Sequence, residues 1–268
     1  MRRHPVLAYG ILACLISWTA VLPLIRHDDV PSAWHALGAV GPITAALILT
    51  ALMGGGSALA DFARRMVRWR VGTIAWLLAL SPIVFGAMAM AVMALMGAPL
   101  NGFSAVRNAF ADPAWVGGMF LASLAYGLGE EPGWRGYALP YLERGRTALR
   151  ATALLSIAWG IWHVPYFFYR YQLGGVGAYI GFYLGLFAGA IWLTFLYNST
   201  GGSILLVVVW HTTWNAVAVV GALISPQVVA VTSALIMISA LIAFGVGGPQ
   251  RLSWTFRRRV SAPVATSP

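Results

Sequence analysis

Lysine is absent from this 268-residue chain, and all 17 of its basic residues are arginine. Acids are nearly as scarce, seven in all, and charged residues occupy 9% of positions against 60% for hydrophobic ones. A soluble domain carries charge at about a quarter of its positions, so a fold that keeps a polar surface in water is excluded. Cysteine occurs once, at Cys14, which rules out a disulfide or a cysteine-based metal site within one chain. No stretch is polar enough to fold outside a bilayer, and no long internal repeat is visible.

What is present is apolar length. Segments near 5–25, 34–54, 72–97, 113–131, 151–169, 175–197, 202–224 and 227–246 each run for about 17–25 residues, enough to cross roughly 30 Å of hydrocarbon at about 1.5 Å per residue. Because they are continuous rather than alternating, they predict helices and not a β-barrel. The expected fold is therefore all-α: a polytopic transmembrane helix bundle of about eight spans, with residues 1–250 forming a single integral-membrane domain. Residues 251–268 are expected to be a basic, disordered cytoplasmic tail. The run from Pro5 to Ile25 is longer than the apolar part of a signal peptide and lacks a cleavage signature, which points to a retained first span.

The net charge of +10 does not indicate nucleic acid, because the arginines sit in short clusters between apolar runs. With the N-terminus inside, an even number of spans puts fourteen arginines on the cytoplasmic side and leaves Arg26, Arg107 and Arg170 outside. Such asymmetry predicts a multi-pass protein of the plasma membrane with both termini cytoplasmic. Gly177, Gly181, Gly185 and Gly189 form a period-four ladder expected to let another helix approach. The triplet Gly54–Gly56 is expected to be a loop or a helix end.

Polar chemistry inside the spans is confined to three short motifs: EEPGWR (Glu130 to Arg135), WGIWH (Trp159 to His163) and HTTWN (His211 to Asn215). Ionisable groups at membrane depth cost about 2.5–3.5 kcal/mol each on insertion scales, so they need a return. Helical spacing puts His211 with Asn215, and Trp159 with His163, on common faces; Glu131 reaches Arg135 if the helix persists past Pro132. Pro132 itself predicts a kink or break there. Counted from the cytoplasmic ends of their segments, His163 lies about 20 Å deep and His211 about 14 Å. Glu130 reaches a similar level if Glu143 marks the boundary, so the motifs converge in the cytoplasmic half of the bundle.

Together these groups can activate water: a carboxylate beside a histidine takes the proton, a second imidazole and an amide stabilise the oxyanion, and Arg135 pairs with a carboxylate. The structural alternatives are a solvated helix end for the glutamates and hydrogen-bonded interior positions for the histidines. No HExxH, no paired intramembrane aspartates and no GxSG occur, which sets aside the zinc site-two, aspartyl and serine types of intramembrane protease.

The order EExxxR, aromatic-xxx-His, His-xxx-Asn resembles the CPBP (CAAX protease and bacteriocin-processing, Abi) family, which includes the eukaryotic prenyl-protein endopeptidases. The resemblance covers a core of about residues 115–220, and EEPGWRGYALP is its most specific element. It implies that Glu130 is the water-activating base assisted by His163, that His211 and Asn215 form the oxyanion hole, and that Glu131 and Arg135 support them. The sequence departs at Trp159, where the family usually has Phe, a change that preserves shape. The implied partners are the bilayer and a membrane-associated or prenylated protein or peptide substrate. A metal-free water is the favoured expectation and no cofactor is favoured; zinc held by Glu130, His163 and His211 is the alternative. Outside the protease class stand a proton-coupled transporter using Glu130, His163 and His211 as a relay, and a non-catalytic immunity or scaffold protein.

Overall fold

The computed structural model describes residues 4–26, 36–98, 100–168, 170–171 and 173–255. Among them there is no strand; the expected all-α bundle is what the chain forms. Helix α1 (Pro5–Val21) is followed by a 3₁₀ turn (Leu22–Arg26) and by α2 (Val40–Met66). Then come α3 (Thr73–Ala79) and α4 (Ser81–Leu95), an amphipathic α5 (Phe103–Phe110) and α6 (Pro113–Glu131). A π-helical stretch (Pro132–Ala138) and the single turn α7 (Leu139–Leu142) continue α6 without a gap. The chain ends with α8 (Ala148–Trp162), a 3₁₀ turn (Val164–Phe168), α9 (Val176–Ser199), α10 (Ile204–Ile224) and α11 (Pro226–Arg251).

Helix starts are written locally. Asp112, Thr147, Ser203 and Ser225 each accept a backbone N–H of the first turn that follows, and proline occupies the first position after Asp112 and Ser225. These are the residue types that satisfy orphan amides at helix N-termini. The exterior is apolar: Leu7, Ile11 and Leu15 line the exposed face of α1, while Tyr9, Ala13 and Ser17 face inward. Such a polarity inversion suits a hydrocarbon surround.

Among the described residues five helices are long and apolar enough to cross a membrane, and α3 with α4, bent by 51°, makes a sixth if the pair is one span. The remaining two expected segments are α6, prolonged by its π-helical stretch, and the 15-residue α8. These two carry the EEPGWR and WGIWH motifs, which is why apolar length alone underweights them, whereas HTTWN lies on the long apolar α10.

Two local expectations, at Pro132 and in α9, need correction. Pro132 does not end the helix, because the chain widens into a π-helix that absorbs the missing amide and runs on to Leu142. The expected helix end at Gly54–Gly56 is present as a break inside α2: Gly55 (φ 60°, ψ −155°) is non-helical and joins two helical stretches, the second of which runs to Met66. The ladder in α9 is a close contact at one position of four: an added Cβ at Gly185 would lie 3.3 Å from Met237 Cε of α11, and at Gly177, Gly181 or Gly189 it would meet nothing within 4 Å. The close backbone approach is at Gly129 and Gly133, where a Cβ would run into the backbone of Ala39 and of Pro42. The tail is outside the described residues from 256 onward, but its start is packed, with Leu252 buried and Trp254 against Phe195.

Candidate active site

Glu130 and Glu131 end α6, and Arg135 follows within the π-helical stretch. All three are buried: Glu130 is 2% exposed, Glu131 and Arg135 0%. Arg135 donates through Nη1 to both oxygens of Glu131, at 2.9 and 3.1 Å. His211, on α10, places Nδ1 2.7 Å from Glu131 Oε1. Three contacts thus saturate one carboxylate and cancel its charge locally. Removing one member of a buried pair of this kind leaves the other uncompensated, at a cost of about 3–5 kcal/mol.

Glu130 is placed differently. Its Oε2 accepts the indole N–H of Trp159 at 2.7 Å. Among the described residues no hydrogen bond reaches its other oxygen, and none joins it to Arg135. Two adjacent carboxylates therefore have separate environments: Glu131 is consumed by structure, and Glu130 keeps an oxygen for something else.

Trp159 lies in the last turn of α8, and His163 is the C-cap that ends that helix. Its Nδ1 lies 2.8 Å from the Trp159 carbonyl. A carbonyl only accepts, so Nδ1 carries the proton and Nε2 is left as an acceptor. The ring of Trp159 stands between the histidines, 5.7 Å from that of His163 and 5.9 Å from that of His211. The Arg135 guanidinium lies 4.4 Å from the Trp159 ring centroid. Asn215 is one turn beyond His211 on α10 and half-buried; its amide bonds to none of the other groups among the described residues.

The surrounding wall is aromatic. Phe182 and Tyr171 pack on His163 at 5.3 and 6.3 Å. Arg170 folds back to bond the hydroxyl of Tyr126, one turn before Glu130. Trp162 donates to Ser17, and Trp18 donates to the Trp162 carbonyl, which ties α1 to the end of α8 beside His163. On the other flank Arg65 of α2 donates to the Gly136 carbonyl in the π-helix and to Tyr197 of α9, both at 2.8 Å.

Among the described residues no group of three His, Cys, Asp or Glu side chains is placed to hold a metal ion. Glu130, His163 and His211 all neighbour the indole of Trp159.

Comparison with known proteins addresses the same stretch. Residues 112–217 match the family described as type II CAAX prenyl endopeptidase Rce1-like. The resemblance to the CAAX-protease family holds. The Rce1-like region contains all six candidate residues together with Trp159. The chain is also similar to CAAX prenyl protease 2 of Methanococcus maripaludis, 26% identical over 219 residues that cover 76% of this chain and 78% of that protein.

The structure gathers the three motifs and forms the expected Glu131–Arg135 pair; the bonds of Trp159 to Glu130, of His211 to Glu131 and of Arg65 to Gly136 are not among the sequence-based expectations. In the sequence Arg65 counts as one of the cytoplasmic arginines, and Trp159 as a shape-preserving replacement on the same helix face as His163. The signal in hindsight is the indole nitrogen: a buried tryptophan usually finds an acceptor, and few acceptors exist at this depth.

Proposed function

We propose that this chain is an intramembrane endopeptidase that cuts a membrane-associated, prenylated CAAX-type protein or peptide near the cytoplasmic side of the plasma membrane. The similarity to CAAX prenyl proteases supports a membrane protease in general. The division of labour between the two glutamates carries the particular reading, since only Glu130 retains a carboxylate oxygen for water.

In this mechanism a water lies between Glu130 and the acceptor nitrogen of His163. Glu130 takes a proton as the water oxygen bonds to the scissile carbonyl carbon, and the C=O π pair moves onto oxygen. His211, doubly protonated, keeps Nδ1–H on Glu131 and presents Nε2–H to the oxyanion, with the Asn215 amide beside it. The oxyanion then collapses, the C–N bond breaks, and Glu130 returns its proton to the leaving amine. Glu131 and Arg135 hold His211 in place and take no part in proton transfer.

The test is cleavage of farnesylated and unmodified CAAX-terminal peptides by the purified chain in liposomes, with the released fragment read by mass spectrometry. Wild type is expected to cut and Glu130→Gln to be inactive at unchanged membrane abundance. Cutting by Glu130→Gln at the wild-type rate would remove Glu130 as base. A wild-type protein that cuts neither peptide would remove the substrate class.

A further inference from the structure

We propose that Trp159 is a positioning residue for Glu130, and that it acts through its indole N–H; the proposal rests on the endopeptidase reading above. The bond from Nε1 to Oε2 is 2.7 Å and both partners are buried. It is also the only hydrogen bond that the described residues make to Glu130. Arg135, which would otherwise orient the carboxylate, gives Nη1 to Glu131 instead. The orientation of Glu130 therefore depends on a group that a phenyl ring lacks.

Tryptophan suits the position because its two surfaces have opposite polarity. The ring face is electron-rich and receives the Arg135 guanidinium at 4.4 Å. The N–H edge is a donor only and meets the carboxylate. The residue's carbonyl accepts Nδ1 of His163, fixing that tautomer. One side chain thus separates the guanidinium from Glu130, occupies Oε2, and leaves Oε1 as the oxygen for water. A phenylalanine would keep the face and the packing but would free the carboxylate to rotate.

The experiment compares Trp159→Phe with a protein carrying β-(3-benzothienyl)alanine at 159, which keeps the fused ring and replaces N–H by sulfur. Both are expected to lose about tenfold or more in kcat, the lower range for a hydrogen bond to a charged group, with KM unchanged. Trp192→Phe is the control: it removes a buried indole whose nitrogen has no partner among the described residues, and kcat should stay at the wild-type value. In parallel, the ultraviolet resonance Raman difference between wild type and Trp159→Phe should show a hydrogen-bonded indole that Glu130→Ala releases. Wild-type kcat in the benzothienyl protein, a loss in KM alone, or an indole signal indifferent to Glu130→Ala would each overturn the proposal. A wild-type protein with the Raman signature but no cleavage would instead defeat the endopeptidase reading and, with it, any positioning role. The spectroscopy thereby distinguishes the two failures.

Discussion

Gly133→Ala isolates what close packing does for the carboxylates. An added Cβ at this position would stand 2.6 Å from the carbonyl oxygen and 2.7 Å from the carbonyl carbon of Pro42, and would also meet the Tyr9 hydroxyl. Ordinary carbon contacts lie at about 3.5–4.0 Å, so the π-helical stretch must retreat from α2 by roughly 1 Å. The Tyr9 ring can rotate away, but the Pro42 carbonyl belongs to a helix backbone and cannot. Overpacking of this kind costs about 1–3 kcal/mol. The displacement matters more for chemistry, because Glu130 and Glu131 are the last residues before Pro132 and move with it; a shift of about 1 Å at a reacting group can cost on the order of a hundredfold in rate. We expect Gly133→Ala in liposomes to melt earlier and to lose about two orders of magnitude in kcat, with KM little changed. Tyr9→Phe in the same chain should restore little, since the Pro42 contact remains. Gly181→Ala, whose Cβ meets nothing within 4 Å, serves as the reference and should be neutral or slightly stabilising. A Gly133→Ala protein with the melting temperature and kcat of Gly181→Ala would refute the argument.

Two further outcomes are expected. Enzyme dialysed against a strong chelator should keep most of its activity, because the proposed water is activated by Glu130 and His163 alone; loss that stoichiometric zinc restores would convert both histidines from hydrogen-bonding groups into ligands. Reporter fusions at Arg3 and Pro268 should both read cytoplasmic, from the arginine asymmetry; opposite readings would remove the even-span arrangement.

The three polar motifs are legible in the sequence because an ionisable group in an apolar run has no cheap explanation, and helical spacing then pairs Glu131 with Arg135. The helix boundaries follow from apolar length and from caps such as Asp112 and Ser203. The π-helical stretch is not legible: α-helical periodicity and the rule for internal proline both argue for a break at Pro132, and only the neighbours, including the Arg65 bond to Gly136, make the wider turn favourable. Glycine spacing misled for a related reason. The period-four ladder in α9 is regular, but only Gly185 has a close neighbour, the Met237 side chain, whereas Gly129 and Gly133 carry backbone contacts at positions that only the placement of α2 reveals. Trp159 shows the limit of reading by shape, since a substitution that conserves volume adds a donor whose acceptor lies 29 positions away.

The ties between α1 and the end of α8 also set a schedule. Ser17 and Trp162 are separated by 145 positions. At about 5–20 residues per second of synthesis, α1 waits roughly 7–30 s after its own emergence before Trp162 exists. During that interval the first span rests on lipid and on α2, with Ser17 bonded to the Gly38 carbonyl and the Trp18 indole lacking its final acceptor. The wall beside His163 therefore closes late, when the chain has already passed its midpoint. Until then the nascent protein holds its glutamates in a bundle whose N-terminal side is only provisionally shut.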